Sequence, residues 1–486
     1  MSTGITGLDD ILGGGFPRDR IYLVQGDPGV GKTTLALQFL LEGARHREKT
    51  LYITLSETEA EIRDVASSHG WSLDGIDLFE LSAVQQALDL SSSNTLFETG
   101  EVELQETTRT LLAHVEKVQP VRVVFDSLSE LRLLAQSSLR YRRQILALKQ
   151  YFAGRRTTVL LLDDGSSQPN DLQLQSLAHG VVSLEQRSPV FGDDRRRLRV
   201  VKMRGVKFRS GYHDYIVDTG GLQVFPRLVA AGHRTDFTEE SISSGIAELD
   251  NLLGGGLHRG TSTLILGPAG SGKSAIATQY AVAAAHRGDH AAIFAFEEGL
   301  ATLLARARAL GMDLDAERAA GRVHLHRIDP AVMGPGEFAF RARQEVEKHN
   351  ARIVVIDSLN GFLHSMPDEH FLNVQMHELL SYFAQKGVTT ILVMAQHGML
   401  GKMDSPIDVS YLADSVLLLR YFEAAGRIRK AISAVKKRSG HHEDAIRDLT
   451  MGPKGIEVGQ PLTQFHGVLS GVPSFVGDMD KLIGKR

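Results

Sequence analysis

The chain alternates short apolar runs with longer amphipathic segments, and the same alternation occurs in both halves. The runs predict buried strands, and segments such as 34–39 and 275–280 predict helices between them. The predicted strands are 21–24, 50–55, 122–125 and 158–162 in the first half, and 262–265, 291–296, 352–356 and 390–394 in the second. Strands that alternate with helices form parallel sheets with helices on both faces. The pattern therefore predicts the α/β class, with a mostly parallel sheet flanked by helices in each half.

The length of the chain supports two separate domains. It has 486 residues, of which 42% are hydrophobic, and a single hydrophobic core stops growing at about 250–300 residues. Residues 230–236 show neither helical nor strand periodicity. We therefore predict one domain over residues 1–226, a linker over 227–244 and a second domain over 245–486.

Two glycine-rich segments carry the strongest functional signal. Residues 26–33 read Gly-Asp-Pro-Gly-Val-Gly-Lys-Thr, and 241 positions later residues 267–274 read Gly-Pro-Ala-Gly-Ser-Gly-Lys-Ser. Both match the phosphate-binding loop (P-loop), and both follow a predicted strand and precede a predicted helix, which is the order this loop requires. In such a loop the backbone N–H groups and the lysine contact nucleotide phosphates, and the hydroxyl residue binds Mg²⁺. The predicted ATP-phosphate ligands are Gly26, Gly29, Gly31, Lys32, Thr33, Gly267, Gly270, Gly272, Lys273 and Ser274.

An aspartate follows the third predicted strand of each half. Asp126 and Asp357 each precede Ser-Leu, as does the Walker B aspartate that holds Mg²⁺ in P-loop ATPases. An aspartate after a strand is otherwise most often a helix cap, but the upstream P-loop favours the metal interpretation. The predicted Mg²⁺ ligands are Thr33 with Asp126 and Ser274 with Asp357.

A second acidic position follows the second predicted strand of each half. The residues there are Ser56-Glu57 in the first half and Glu297-Glu298 in the second. Hydrolysis of ATP needs a carboxylate that orients or deprotonates the attacking water, so Glu57, Glu297 and Glu298 are candidate catalytic residues. The alternative is that these acids begin a helix and interact with its dipole.

A lysine and an arginine stand two positions apart late in each half. Lys202 and Arg204, like Lys436 and Arg438, lie in a strand-like run, where side chains two apart project to the same face. The P-loop already supplies a lysine to its own nucleotide. Each pair is therefore predicted to contact the phosphates bound by a neighbouring subunit, as arginine fingers do. A solvated edge strand is the alternative.

Together these motifs resemble the KaiC family of double RecA-like ATPases over nearly the whole chain. The resemblance includes the Leu8–Gly15 segment before the first P-loop, which is echoed by Leu249–Gly256 before the second. It implies two tandem RecA-like P-loop NTPase domains in a homohexameric double ring that binds ATP and Mg²⁺ between subunits. It also implies an N-terminal ring that hydrolyses ATP, a C-terminal ring that phosphorylates itself, and a role as a nucleotide-driven timer or signalling assembly.

The chain also departs from the family pattern. Ser56 replaces the family's first catalytic glutamate, whose counterpart in the second half is Glu297, so slow or altered N-terminal turnover is expected. The family's phosphorylated Ser-Thr pair falls on Ser410-Tyr411, which retains one usual acceptor, Ser410. The segment 465–473 resembles the family's loop at the pore mouth, and few residues follow it. A KaiB-like protein is therefore a candidate partner, and a KaiA-like partner is not expected.

Composition narrows the remaining function classes. The chain has no cysteine and a formal net charge of −4, which excludes disulfides and thiolate metal sites and gives no overall attraction to nucleic acid or anionic lipid. No apolar run reaches the ~18 residues of a membrane span, so a cytoplasmic protein without a membrane partner is expected.

A DNA-dependent ATPase of the RecA or helicase type stays open as the alternative. Such proteins need basic loops with aromatic rings on which bases stack. Residues 396–404 offer one lysine and no aromatic ring, residues 163–167 are acidic, and the arginine run 195–199 adjoins Asp193 and Asp194. Nucleic acid is therefore not the expected partner, and the arginine run is predicted to be a solvated hairpin.

Overall fold

A computed structural model divides the chain into two compact units, Met1–Arg227 and Leu228–Arg486. It describes residues 1–81, 99–135, 137–164, 172–190, 192–230, 235–364, 372–396, 410–424, 426–469 and 474–476. Within the predicted linker, Ser241–Ile242 pairs with Leu257–His258 of the second unit, and Ile242 is buried in that unit's core. The boundaries at 226 and 245 stay a prediction.

The first unit is built on one sheet whose strand order is β3-β2-β4-β5-β1-β6-β7-β8-β9. The pairs from β3 through β6 are parallel, and those from β6 to β9 are antiparallel. The strands are β1 (Ile21–Gly26), β2 (Thr50–Thr54), β3 (Ile76–Glu80), β4 (Arg122–Asp126), β5 (Thr158–Asp164), β6 (Gly180–Arg187), β7 (Arg195–Met203), β8 (His213–Asp218) and β9 (Gly221–Phe225). The predicted mostly parallel sheet is therefore confirmed.

Helices cover both faces of this sheet. The helices of the described part are Thr6–Ile11, Lys32–Arg45, Glu59–Ser68, Thr99–Val118, Leu128–Ala135, Ser138–Phe152 and Leu172–Leu177. Side chains alternate along each strand, so Tyr22 and Val24 pack into one hydrophobic core and Leu23 into another on the opposite face. Burial on both faces explains why the parallel strands read as continuous apolar runs.

The second unit repeats this architecture, with the strand order β14-β13-β15-β16-β12-β17-β18-β19-β20. Its strands are β10 (Ser241–Ile242), β11 (Leu257–His258), β12 (Ser262–Gly267), β13 (His290–Ala295), β14 (Val323–Arg327), β15 (Ala351–Asp357), β16 (Thr389–Ala395), β17 (Ser415–Ala424), β18 (Arg427–Lys437), β19 (Arg447–Gly452), β20 (Gly455–Pro461), β21 (Phe465–His466) and β22 (Ser474–Phe475). Its described helices are Ala247–Leu252, Lys273–His286, Leu300–Ala309, Leu314–Ala319, Pro335–His349, Leu359–His364 and Leu372–Gln385, with a 3₁₀ turn at Ser410–Leu412. Across the described ranges, no helix is both long and apolar enough to cross a membrane.

A buried arginine at the start of β4 links the first sheet to neighbouring segments of the first unit. The Arg122 side chain, 2% exposed, pairs with Glu48 at 2.6 Å and donates to the carbonyl oxygens of Ser2 and Phe39 at 2.8 and 2.7 Å. Without Arg122, Glu48 keeps only its pairing with the solvent-exposed Arg18 at 3.3 Å, and breaking a buried ion pair costs about 3–5 kcal/mol. Arg122→Met is therefore expected to lower the free energy of unfolding of the first unit by that amount, measured by denaturant titration.

A matched control lies near the start of the corresponding strand, β15. Arg352 is 36% exposed there and pairs with Glu240 and Asp289, each at 3.4 Å. Exposed pairs contribute about 0–1 kcal/mol, so Arg352→Met is expected to have little effect on the second unit. Equal losses in the two variants would contradict the importance given to burial.

Candidate nucleotide sites

The first P-loop connects β1 to the helix Lys32–Arg45. Gly31 precedes the helix with φ 95°, a left-handed conformation that glycine adopts without strain. A Cβ atom on Gly26 would lie 2.6 Å from the carbonyl oxygen of Leu184, so this position also needs glycine. Lys32 Nζ donates to the carbonyl oxygen of Gly26 at 2.7 Å, which places the lysine over the loop.

The second P-loop repeats this geometry between β12 and the helix Lys273–His286. Gly272 precedes the helix with φ 109°, and Lys273 Nζ donates to the carbonyl oxygen of Pro268 at 2.8 Å. Burial lowers the pKa of Lys273, although Asp357 and Glu297 nearby act in the opposite direction. A buried ammonium group is stabilised by an anion, and phosphate is the anion that a loop of this shape accepts.

The hydroxyl residue of each loop lies against the predicted Walker B aspartate. Thr33 Oγ1 donates to Asp126 Oδ2 at 2.9 Å, and the buried Tyr52 hydroxyl donates to the same oxygen. In the second unit the side chain of Ser274 lies beside Asp357 and acts to lower its pKa. Burial raises the pKa of both aspartates. Each site is therefore a pair of oxygen donors that a hard cation such as Mg²⁺ prefers.

The acidic position of the first unit holds a carboxylate for which the described residues provide no ion pair. Glu57 Oε2 is buried and accepts no hydrogen bond from the described residues. Burial, together with the Asp126 and Glu61 carboxylates, raises the pKa of Glu57. Its backbone is fixed, because Thr54 Oγ1 donates to the Glu57 carbonyl oxygen at 2.6 Å and accepts from its N–H at 3.0 Å. The side chain is thus held beside Asp126 with a lone pair available.

The acidic residues of the second unit have different partners. Glu298, which corresponds to Glu57, forms an ion pair with Arg306 of the helix Leu300–Ala309. The corresponding helix position in the first unit is Val65. Glu297 is exposed and accepts a hydrogen bond from Ser358 Oγ at 3.0 Å. The second unit therefore has one neutralised acid and one solvent-accessible acid.

Sequence reasoning missed two residues that distinguish the sites. Asp164 pairs with Lys32 at 2.9 Å and accepts from Ser129 Oγ at 2.7 Å. Burial alone would raise the pKa of Asp164, but the hydrogen bonds from Lys32 and Ser129 outweigh it and lower the value. Asp164 could have been predicted from its position at the end of β5, where it is paired with Gly26 of the P-loop. The second missed residue is Arg306. It lies eight residues after Glu298, which precedes the helix, so helical periodicity did not predict that the two side chains meet.

The late Lys–Arg pairs contact neighbouring backbone of their own unit. Lys202 donates to the Gln175 carbonyl oxygen, and Arg204 donates to that of Ser176 at 2.9 Å. Lys436 similarly donates to the Ala413 carbonyl oxygen at 2.7 Å. Strands β7 and β18 end at Met203 and Lys437, so Arg204 and Arg438 each lie just beyond their strand. Lys202 and Arg204 nevertheless contact the same segment, residues 175–176.

A basic cavity adjoins the first of these pairs. It has a volume of about 250 Å³, and its lining includes the basic residues Arg20, Lys149 and Arg204 together with His179 and one acid, Asp19. Burial, then the positive charges of Arg204 and Lys149, lower the pKa of Lys202. Among the described residues these cations donate to backbone carbonyl oxygens, as Lys149 does to Leu177 at 2.9 Å. The surface therefore carries concentrated positive charge away from the P-loop.

The structure describes less of the predicted phosphoacceptor region. Ser410 begins a 3₁₀ turn, but its side chain lies outside the described part of the chain, as do residues 397–409. The arginine run at 195–199 lies in β7, where Arg197 pairs with Glu185 at 3.0 Å. That pairing gives the run a counter-charge within its own hairpin.

These observations define a class of protein. Two parallel-sheet units each place a P-loop hydroxyl against an aspartate that ends a neighbouring strand, which is the arrangement of a tandem RecA-like P-loop ATPase. The family model of the KaiC ATPase matches residues 1–229 and 242–463. The chain belongs to the KaiC ATPase family, and as such it is an ATPase that binds ATP.

Several curated proteins are similar over almost their whole length. The circadian clock oscillator protein KaiC of Acaryochloris marina is 27% identical, with 98% of this chain and 91% of that protein covered. KaiC of Synechococcus elongatus is 26% identical, with 98% and 92% covered. The circadian clock protein KaiC3 of Synechocystis is 24% identical, with 100% and 97% covered. The comparisons favour the KaiC interpretation over a DNA-dependent ATPase.

Proposed function

We propose that this KaiC-family ATPase hydrolyses ATP at the subunit interfaces of a homohexameric ring and phosphorylates itself on Ser410, as a nucleotide-driven timer or signalling assembly. The observation that carries the proposal is the inequality of the two acidic positions. Glu57 has an unpaired buried oxygen, whereas Glu298 is paired with Arg306. Two units with the same fold and different acids are suited to different reactions of one substrate.

In this proposal Mg²⁺ is held by Thr33 with Asp126 in the first unit and by Ser274 with Asp357 in the second. The ion would neutralise charge that develops on the phosphates. Lys32 and Lys273 contact those phosphates, and the loop glycines bring backbone N–H groups around them. For Lys32 this requires exchange of its pairing with Asp164 for a phosphate contact.

The first unit is proposed to be the site of hydrolysis. Glu57 accepts a proton from, or orients, the water that attacks the γ-phosphate. Its raised pKa and half-buried position make its carboxylate a stronger base than an exposed glutamate. Ser56 offers no second carboxylate, so the reaction depends on one acid.

The second unit is proposed to be the site of autophosphorylation. Arg306 neutralises Glu298, which leaves Glu297 as the carboxylate that accepts a proton. The γ-phosphoryl group is transferred to the Ser410 hydroxyl, whose proton passes to Glu297 as ADP leaves. Lys436 donates to the carbonyl oxygen of Ala413 and so contacts the segment that follows the acceptor.

The Lys–Arg pairs are proposed to act across subunit interfaces. Lys202 and Arg204 would contact the phosphates of the neighbouring nucleotide, and the cavity beside them supplies further positive charge from Arg20 and Lys149. Lys436 and Arg438 would act in the same way in the second ring. The resemblance further suggests a KaiB-like partner and no KaiA-like partner.

Assembly that depends on ATP tests this proposal. The wild-type chain is expected to increase several-fold in molar mass on addition of Mg-ATP, measured by light scattering coupled to size-exclusion chromatography. The double variant Lys202→Ala/Arg204→Ala is expected to assemble weakly, because a charge-assisted contact to the neighbour's phosphates is lost.

The double variant Arg197→Ala/Arg199→Ala is the control, since it removes the same charge from β7, the strand that carries Lys202 and ends just before Arg204. It is expected to assemble as the wild type does. A wild-type chain that stays monomeric with saturating Mg-ATP would refute the ring, and equal assembly of both double variants would refute the trans contact.

A further inference from the structure

A cluster of two histidines and a glutamate lies in the second unit, on strand and helix elements that carry none of the nucleotide-site residues. His324 is on β14, and Glu345 and His349 are on the helix Pro335–His349. One ligand atom of each side chain can be chosen so that all three lie within 4.8 Å of one another. His324 Nδ1 is 2.6 Å from Glu345 Oε2, and the rings of His324 and His349 are 4.6 Å apart.

The local structure explains why these side chains converge. Glu345 and His349 are four residues apart on the helix, so they lie on one face of it. β14 is one of the two edge strands of the sheet, and its second residue, His324, meets that face. Glu345 is buried and His349 is exposed. The cluster is therefore enclosed by protein at Glu345 and open to solvent at His349.

We propose that His324, Glu345 and His349 bind a divalent first-row transition-metal ion, for which Zn²⁺ is the best match. Two imidazole nitrogens and one carboxylate oxygen are a donor set that Zn²⁺ uses with a water or other ligand in the fourth position. Mg²⁺ and Ca²⁺ prefer oxygen ligands alone, so the imidazoles select against the ions of the nucleotide sites.

A fourth residue supports the carboxylate. His326 Nε2 lies 3.0 Å from Glu345 Oε1, the oxygen that does not face His324, and the His326 ring stacks on Phe294 with centroids 4.9 Å apart. Outer groups of this kind orient metal ligands. His326 is therefore assigned as the residue that positions Glu345.

Metal binding needs only small movements of these groups. Ligand atoms about 2.0–2.2 Å from a tetrahedral Zn²⁺ are separated from one another by roughly 3.4 Å. The short His324–Glu345 separation must open slightly, and the exposed His349 must move inward. Binding through Nδ1 of the neutral His324 imidazole requires the tautomer that carries its proton on Nε2, so the hydrogen bond from Nδ1 to Glu345 is exchanged for the metal.

The first unit provides an internal comparison, because its corresponding elements lack this set. The second residue of its edge strand is Asp77, and the residue two positions on is Phe79, which contacts the His114 ring at 4.5 Å between centroids. His114 and Val118 precede the left-handed Gln119 as Glu345 and His349 precede the left-handed Asn350. The fold alone therefore does not require the three ligands.

Titration of the full chain with Co²⁺ and Zn²⁺ tests the proposal. The protein carries no histidine tag, is stripped with chelator and then desalted. The wild type is expected to develop the intense visible absorption of four-coordinate Co²⁺ at one equivalent, and Zn²⁺ is expected to abolish it by displacement. His349→Val, which introduces the residue of the first unit at an exposed position, is expected to lose at least about tenfold in affinity.

Two further variants sharpen the result. His326→Phe is expected to weaken binding by about 10–100-fold while the Co²⁺ spectrum keeps its shape, because it removes a positioning residue and not a ligand. His441→Val changes an exposed histidine outside the cluster and is expected to bind as the wild type does. The proposal is overturned if the wild type shows no saturable binding, or if His349→Val binds with the wild-type spectrum and affinity.

Discussion

Glu57→Gln is expected to lower ATP turnover by the first unit by about 10²–10⁴-fold, the range measured for loss of a general base. Glutamine keeps the size of the side chain but cannot accept a proton, so the attacking water loses its base. The measurement is phosphate release in the Lys273→Ala background, where removal of the second P-loop lysine leaves the first unit as the active site.

The controls for this variant use the differences between the two units. Ser56→Ala in the same background is expected to keep its turnover, because Ser56 carries no carboxylate. Glu298→Gln in the Lys32→Ala background is expected to have a much smaller effect, because Arg306 already neutralises Glu298. More than a tenth of the turnover surviving in Glu57→Gln would refute the role given to Glu57.

The pH profile provides a second readout of the same group. The carboxylate form is the active one, and burial raises its pKa above the ordinary value. As the pH falls, turnover by the first unit is therefore expected to decline at a higher pH than an exposed glutamate would give. In Glu57→Gln the residual rate is expected to lose this dependence.

Ser410→Ala is expected to abolish phosphorylation of the chain, while the wild type gains the mass of one phosphoryl group on incubation with Mg-ATP. Alanine removes the hydroxyl that attacks the γ-phosphate, so no slower route through the same residue remains. Intact-mass spectrometry followed by phosphopeptide mapping measures the result.

Three variants separate the acceptor from its surroundings. Tyr411→Phe is expected to remain phosphorylated, Lys273→Ala to lose phosphorylation with an intact Ser410, and Glu297→Gln to slow it without moving the site. Undiminished phosphate on Ser410→Ala would place the acceptor elsewhere, and a wild type without added phosphate would remove autophosphorylation from the proposal.

The sheet strands were predictable because of how they are buried. β1 and β12 lie between other strands and under helices on both faces, so their central residues, 22–24 and 264–266, are apolar without alternation. The P-loops were predictable because backbone geometry at Gly31 and Gly272 requires glycine, which leaves a fixed spacing in the sequence. The antiparallel strands from β7 to β9 were harder to read, because they alternate buried and exposed residues over short lengths.

By itself the sequence determined the tandem α/β organisation, the two P-loops and the aspartates that face them, since each depends on contiguous residues or on strand order. Only the tertiary structure decided which acids are neutralised. Arg306 reaches Glu298, Lys32 reaches Asp164, and Glu57 is left with a buried unpaired oxygen. The tertiary structure also decided that His324 meets Glu345. The two residues are 21 positions apart along the chain, and neither helical nor strand periodicity relates them. Charge pairing depends on distances of a few ångströms between separate elements, and packing alone fixes those distances.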